Sequence, residues 1–308
     1  MSWIPLARAG ILAVMALYPT LEQTPPQKST ADLVDLVRPA VVQVVVKITL
    51  PSFNRTIPPP LDQLFLNRPV FVVGTGFFVN AAGDVVTASH VANGLQVPGR
   101  PPELGVQQII QILKANGIDA IAAIGVSIPN VETSRLKVES GTLLFPATLT
   151  ATDADHDIAV FHATVNPFTN MPKTFGGPGA VGLPQTKAGF VHLATKRPRD
   201  AEEIFACGFP FGEPGLVTTS GTIASAWKSE TLLTARASSG IPNPTEVYWA
   251  DLRVNPGNSG GPIFRMRDHA VLGIVVENEG NLGFVVPAKY VADFLKAHGI
   301  QWNPADKP

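Results

Sequence analysis

A serine stands among three glycines in Gly257-Asn258-Ser259-Gly260-Gly261-Pro262. A serine hydroxyl attacks a carbonyl efficiently only when a base takes its proton and donors meet the negative charge that develops on the attacked oxygen. The glycines suit the second need, because backbone without side chains turns tightly and can point its N–H groups inward. Two upstream stretches supply the first need. Thr87-Ala88-Ser89-His90-Val91 follows an apolar strand pattern, and Asp155-His156-Asp157-Ile158-Ala159-Val160 opens another. An imidazole can take the proton, and a carboxylate can hold that imidazole in the required tautomer. These residue types describe nucleophilic acyl transfer: Ser259 as nucleophile, His90 as base, Asp157 or Asp155 as the acid behind it.

Each piece is weak alone. Ser259 also satisfies the G-x-S-x-G pattern of the α/β-hydrolase nucleophile elbow. That elbow needs a helix directly after the serine and a base later in the chain. Gly260-Gly261-Pro262-Ile263-Phe264 starts a helix poorly and a strand well, and the acid and base candidates precede the serine. The order His, Asp, Ser is the chymotrypsin order. The acidic run Asp153-Ala154-Asp155-His156-Asp157 fails as a calcium loop, since Ile158 and Thr164 stand where glycine and glutamate are required. His156, His162, His192, His269 and His298 read as structural or surface histidines. Cys207 is the only cysteine, so no disulfide forms within the chain, and its apolar neighbours Ile204, Phe205 and Ala206 mark it as a buried small hydrophobe.

The elements that must position these groups are mostly short strands. Ala31 to Val37 has helical spacing and stops before Pro39. Ala40 to Ile48 is a β-branched run, Val70 to Val79 a second strand interrupted by glycines, and Val85-Val86 begins a third that ends at His90. Residues 51–69 hold five prolines and read as a loop. Pro102 to Asn116 reads as an amphipathic helix inserted in the first unit. Ile118 to Ile128 is apolar and fits helix or strand. Strand patterns resume at Leu136-Val138, Leu143 to Ala151 and Ile158 to Ala163. Residues 165–187 form a Pro/Gly-rich connector to a second set of strands. These run at Phe190–Ala194, Glu203–Cys207, Leu216–Ala226, Val247–Ala250, Pro262–Arg265, Ala270–Val276 and Leu282–Val286. Ala288 to His298 closes the chain as an amphipathic helix. Two runs of strands around a connector predict two packed β units.

The 308 residues carry 45% hydrophobic and 15% charged residues and a net charge of −1, which offers no basic excess for nucleic acid. Arg8 precedes the apolar run Ala9 to Tyr18, too short for a comfortable membrane span and about right for a signal-peptide core. Residues 1–29 are therefore expected to be a signal peptide or membrane anchor plus linker, with the protein exported to a periplasmic or extracellular compartment.

Taken together the motifs resemble trypsin-fold serine proteases of the HtrA/Deg type. The resemblance runs from about Ala31 to about His298 and adds Gly74-Thr75-Gly76-Phe77-Phe78-Val79 and Gly208-Phe209-Pro210-Phe211-Gly212 to the stretches already given. It implies an all-β fold of two six-stranded antiparallel barrels, about residues 31–165 and 188–287, with the active site in the cleft between them and a C-terminal helix at 288–298. It assigns the catalytic roles to His90, Asp157 and Ser259, preferring Asp157 over Asp155 because Ile158-Ala159-Val160 follows it. It places the oxyanion hole at the N–H groups of Gly257 and Ser259. Val275, Val276 and Glu277 match the strand that pairs with an extended peptide. Val254 matches a residue lining the first specificity pocket, which implies small or medium aliphatic preference rather than Arg or Lys.

The implied activity is endoproteolysis of unfolded or extended polypeptide, without metal or organic cofactor. Activity would rise with pH around the ordinary histidine value of about 6.5. The alternative is a catalytically silent scaffold of the same fold. Family members often form trimers, so a homo-oligomer is an open expectation. No PDZ domain is expected after the closing helix. Val275 stands where many such enzymes keep a polar residue near the acid, so the support of that acid is the open structural question.

Overall fold

A computed structural model describes residues 29–48, 70–93, 120–129, 140–170, 174–175, 181–182, 189–213, 215–232 and 245–306. Six strands make the first barrel: β1 (Val41–Ile48), β2 (Val70–Phe78), β3 (Asp84–Ala88), β4 (Ala120–Pro129), β5 (Ser140–Asp153) and β6 (Ile158–Ala163). They close in the order β1-β2-β3-β6-β5-β4, because β1 pairs antiparallel with β2 on one side and β4 on the other. Residues 41–46 of β1 are all buried, as a near-continuous valine run requires of a strand covered on both faces. β5 alternates instead, with Phe145 and Ala147 inside and Leu144, Pro146 and Thr148 exposed.

After the short helix Pro167–Asn170 and a two-stranded ribbon, β7 (Thr174–Phe175) with β8 (Val181–Gly182), the chain enters a second sheet. Its strands are β9 (His192–Leu193), β10 (Glu203–Gly208), β11 (Val217–Glu230), β12 (Thr245–Asp251), β13 (Pro262–Arg265), β14 (Val271–Glu279), β15 (Leu282–Pro287) and β16 (Asn303–Pro304). The order β13-β10-β11-β12-β15-β14 is closed by pairing of β13 with β14, giving a second six-stranded barrel, to which β9 and β16 add parallel at the edge. Ile204, Ala206, Ile223, Ala250, Ile263 and Leu272 cluster inside it, while Phe205 and Phe264, stacked at 4.9 Å between centroids, face the other way into the core shared with the first barrel and the closing helix. Burying each such ring contributes roughly 1.5–3 kcal/mol.

Two helices seal the ends. Ser29 caps Thr30–Val37 through a reciprocal box with Asp32, and Leu33, Val34 and Val37 pack inward. The closing helix Ala288–Ala297 buries Ala288, Val291, Ala292 and Leu295, which share one face at 3.6 residues per turn.

Several expectations meet the structure directly. Within the ambiguous stretch, Ala120–Pro129 is strand β4, since pairing with β1 and β5 satisfies its backbone on both edges. Phe190–Ala194 shortens to the two residues of β9, which pair with Asn303 and Pro304 of β16 and, at Leu193, with Val271 of β14. The 165–187 connector contains the short helix and ribbon rather than loop alone. The 102–116 helix, the strand at 136–138, the proline-rich 51–69 loop and the N-terminal export segment lie outside the described residues.

Candidate active site

Strand register brings the candidate base His90 to the candidate acid Asp157. β3 pairs with β6 so that Ala88 faces Ile158, which makes the residues after β3 neighbours of the residue before β6. The chain leaves β3 in a short helical turn, Ser89–Asn93, that carries His90. Ser89 N–H donates to the Asp157 carbonyl (3.0 Å) and His90 N–H to Asp157 Oδ1 (2.8 Å). His90 Nδ1 lies 2.7 Å from Asp157 Oδ2. A carboxylate accepts, so Nδ1 carries the proton and Nε2 is left as the basic nitrogen. Asp157 is fully buried and sits at φ 52°, in the left-handed region that costs a non-glycine residue about 1–3 kcal/mol. Its three bonds to Ser89 and His90 hold it there. They also answer the question of its support: Val275 is buried and apolar, and the backbone N–H of His90 supplies the donor. Asp155 is exposed on the preceding turn, away from this pairing.

The serine loop is seated against the first barrel, backbone to backbone. Thr75 N–H donates to the Ser259 carbonyl at 2.9 Å, and Gly260 N–H donates to the Val275 carbonyl at 2.7 Å. Gly260 has φ 80°, and a Cβ there would lie 2.1 Å from Thr87 Oγ1 and 2.5 Å from Ala88 N. Only glycine lets the neighbour of Ser259 press so closely on the strand that leads to His90.

Peptide geometry orients the donors. The Pro256 carbonyl accepts from Phe211 N–H at 2.6 Å. In a trans peptide the carbonyl and the following N–H point opposite ways, so the Gly257 N–H is turned away from Phe211. Gly257 itself needs φ 98°, and its carbonyl accepts from the Thr75 hydroxyl at 2.6 Å. That hydroxyl also accepts from Phe209 N–H at 3.0 Å. Among the described residues the N–H groups of Gly257 and Ser259 donate to no acceptor, whereas those of Asn258, Gly260 and Gly261 are all engaged. Two unengaged donors flanking a serine are what a developing oxyanion requires.

Burial alone would lower the His90 pKa. The charge and hydrogen bond of Asp157, with a further contribution from Glu277, outweigh it and raise the group above its usual 6.5. The sequence expectation of an ordinary value near 6.5 is thus corrected upward. Burial pushes the Cys207 thiol up to about 11, which leaves it unreactive.

The expected recognition residues fall along one edge. β14 keeps its β15 partner as far as Glu279 opposite Leu282, but β13 ends opposite Ile274. Val276 falls in a register shift between Val275 and Glu277, past the last β13 pairing at Ile274 and the bonds of Val275 to Gly260 and Gly261. Val254 is half-buried, and a Cβ on Gly283 would sit 2.9 Å from its Cγ2, so its side chain packs directly on the Gly283 backbone. Arg253 is exposed.

Two contributors escaped sequence reasoning, the Thr75 hydroxyl and the Phe211 N–H. The only sequence signal was their membership of the Gly74-Thr75-Gly76 and Phe209-Pro210-Phe211-Gly212 stretches. Among the described residues no group of three or more His, Cys, Asp or Glu could hold a metal ion, and no helix is long and apolar enough to cross a membrane.

Comparison with known proteins bears on this geometry. The profile of the trypsin-like peptidase domain family matches residues 74–274. The chain is 24% identical over 278 residues to serine protease HTRA3 of Mus musculus, covering 89% of this chain and 46% of that protein. It is 26% identical over 267 residues to serine protease HTRA3 of Homo sapiens, covering 86% and 44%. A probable periplasmic serine endoprotease DegP-like of Pseudomonas fulva is 36% identical over 109 residues, 32% of this chain and 20% of that one. The chain therefore spans less than half the length of these relatives. The active form of Rv3671c protease from M. tuberculosis matches in fold with a TM-score of 0.56 at 19% identity, covering 99% of this chain and 97% of that one.

Proposed function

The chain belongs to the trypsin-like peptidase domain family, and from that footing we propose that it is a serine endopeptidase acting on extended or unfolded polypeptide. One observation carries the reading: the His90 imidazole is held through Nδ1 by buried Asp157, on the strand end against which the Ser259 loop is packed. Ser259 Oγ attacks the scissile carbonyl carbon and His90 Nε2 takes its proton. The oxyanion is met by the N–H groups of Gly257 and Ser259, each worth about 2.7–4 kcal/mol in the transition state. His90 then passes the proton to the departing amine as the C–N bond breaks, leaving an acyl-enzyme. Water, deprotonated by His90, attacks the acyl carbon and releases Ser259.

The edge of β14 at Val276, past its pairing with β13, supports binding of the substrate as an added strand, where main-chain hydrogen bonds give affinity and pockets give specificity. Val254 supports a preference for small or medium aliphatic side chains before the cut. An exported protein accords with the Arg8-led apolar run and with a relative named as periplasmic.

Fluorophosphonate labelling tests the reading. The wild type should be labelled covalently and Ser259→Ala should not; a folded wild type that resists the probe would favour the scaffold alternative. The pH dependence is a second test. Catalysis needs neutral His90, so kcat/KM should rise with pH through a midpoint above 6.5, where the raised pKa places it. Glu277→Gln removes a carboxylate that favours the charged imidazole, so its midpoint should move to lower pH. A wild-type profile already flat by mildly acidic pH would contradict the assignment.

A further inference from the structure

The residue before the catalytic acid makes contacts that the mechanism above does not use. Asp153, at the end of β5 and opposite Ile158, folds its carboxylate back over the turn. Its Oδ1 accepts the N–H groups of Asp155 (2.9 Å) and His156 (3.1 Å). Its Oδ2 lies 2.7 Å from His156 Nδ1. Burial alone would raise the Asp153 carboxyl; the hydrogen bonds and charge of His156 outweigh it and hold the group below its usual value. One face of the His156 ring lies against Tyr290, with centroids 4.3 Å apart and planes 28° from parallel. Tyr290 belongs to the closing helix, which packs on β14 and β15 of the second barrel, and its ring is partly buried against the core.

We propose that Tyr290 and His156 form a clamp by which the closing helix positions Asp157. This rests on the catalytic reading above. Asp157 is held at φ 52°, a conformation its own backbone disfavours, and a turn freed at His156 can relax toward ordinary φ and withdraw the carboxylate from His90. The clamp spans the two barrels: the acid and base stand on the first, the nucleophile on the second, and the helix that follows the second grips the turn of the first. Tyr290 and His156 touch no reacting atom and are positioning residues.

The test compares Tyr290→Ala, Tyr290→Phe and His156→Ala by steady-state kinetics on a peptide substrate, fluorophosphonate labelling rate, and the low-field proton resonance of the His90–Asp157 hydrogen bond. Tyr290→Ala should lower kcat and the labelling rate about tenfold, as a misplaced catalytic group does. KM should stay near the wild-type value, and the low-field resonance should broaden or vanish. Tyr290→Phe keeps the ring and should restore all three. His156→Ala lies on a surface turn and spares the helix packing, so it should repeat the loss even if Tyr290→Ala does not fold. A folded His156→Ala or Tyr290→Ala with wild-type kcat and an unchanged resonance would overturn the clamp. A wild type that fails to label overturns the catalytic reading instead, and the resonance comparison still decides the clamp.

Discussion

Asp157→Asn should lower kcat by about 10⁴-fold while leaving the fold intact. The direction follows from who donates to whom. Asp157 Oδ1 accepts the backbone N–H of His90, and that donor has no second function, so the amide oxygen of an asparagine must take its place. The amide nitrogen is then turned toward His90 Nδ1, where Oδ2 stood at 2.7 Å. It can only donate, so Nδ1 must accept, and the ring proton moves to Nε2. Nε2 then has no lone pair to take the Ser259 proton. The substitution also removes the carboxylate charge that stabilises the imidazolium formed during attack. Because the asparagine has nearly the same shape, thermal unfolding should change little beside the kinetic loss. Asp155→Asn, on the exposed preceding residue, is the control and should stay near wild type. Comparable activity in Asp157→Asn and wild type would mean that another group holds the imidazole.

Thr75→Val should cost about 10²–10³-fold in kcat, the size expected when one oxyanion donor is lost. Valine has the shape of threonine, so packing is kept and the hydroxyl alone is removed. Thr75 is fully buried, and its hydroxyl donates to the Gly257 carbonyl while accepting from Phe209 N–H. Without it the Gly257 carbonyl loses its donor, and a glycine already at φ 98° is free to turn. The N–H one atom chain away then no longer points where the oxyanion forms. Stability should also fall by about 1–3 kcal/mol, because Phe209 N–H is left buried without an acceptor. KM should change far less than kcat, since the donor acts mainly on the transition state. Thr75→Ser retains the hydroxyl and should recover most of the rate. A folded Thr75→Val with wild-type kcat would show that Phe211 N–H alone fixes the loop.

Much of this was legible in the chain. The strand patterns read at Ala40–Ile48, Ile158–Ala163 and Leu282–Val286 are local consequences of β-branched runs bounded by turns, and each holds a strand of a closed barrel. The ambiguous stretch beginning at Ile118 was not legible, because an apolar run fits either periodicity until a neighbour supplies backbone partners. The choice between Asp155 and Asp157 shows the same limit. Residue type alone leaves the two equal; the resemblance prefers Asp157 from the Ile158-Ala159-Val160 that follows it, and the pairing of Ala88 with Ile158 is what sets that carboxylate beside His90.

The sequence by itself determined the chemistry on offer: a serine ringed by glycines, a histidine at the end of one strand, a carboxylate at the start of another, and no cysteine pair to staple them. Those are properties of residue type and near neighbours, and they survive without knowing where the segments meet. Tertiary structure alone decided how the groups are tuned. The raised pKa of His90, the grip of Thr75 on Gly257, the turned peptide at Pro256 and the stack of Tyr290 on His156 all join segments distant along the chain. Charge, hydrogen bonding and ring contact fall off within a few ångströms, so they exist only once strand register has set those distances.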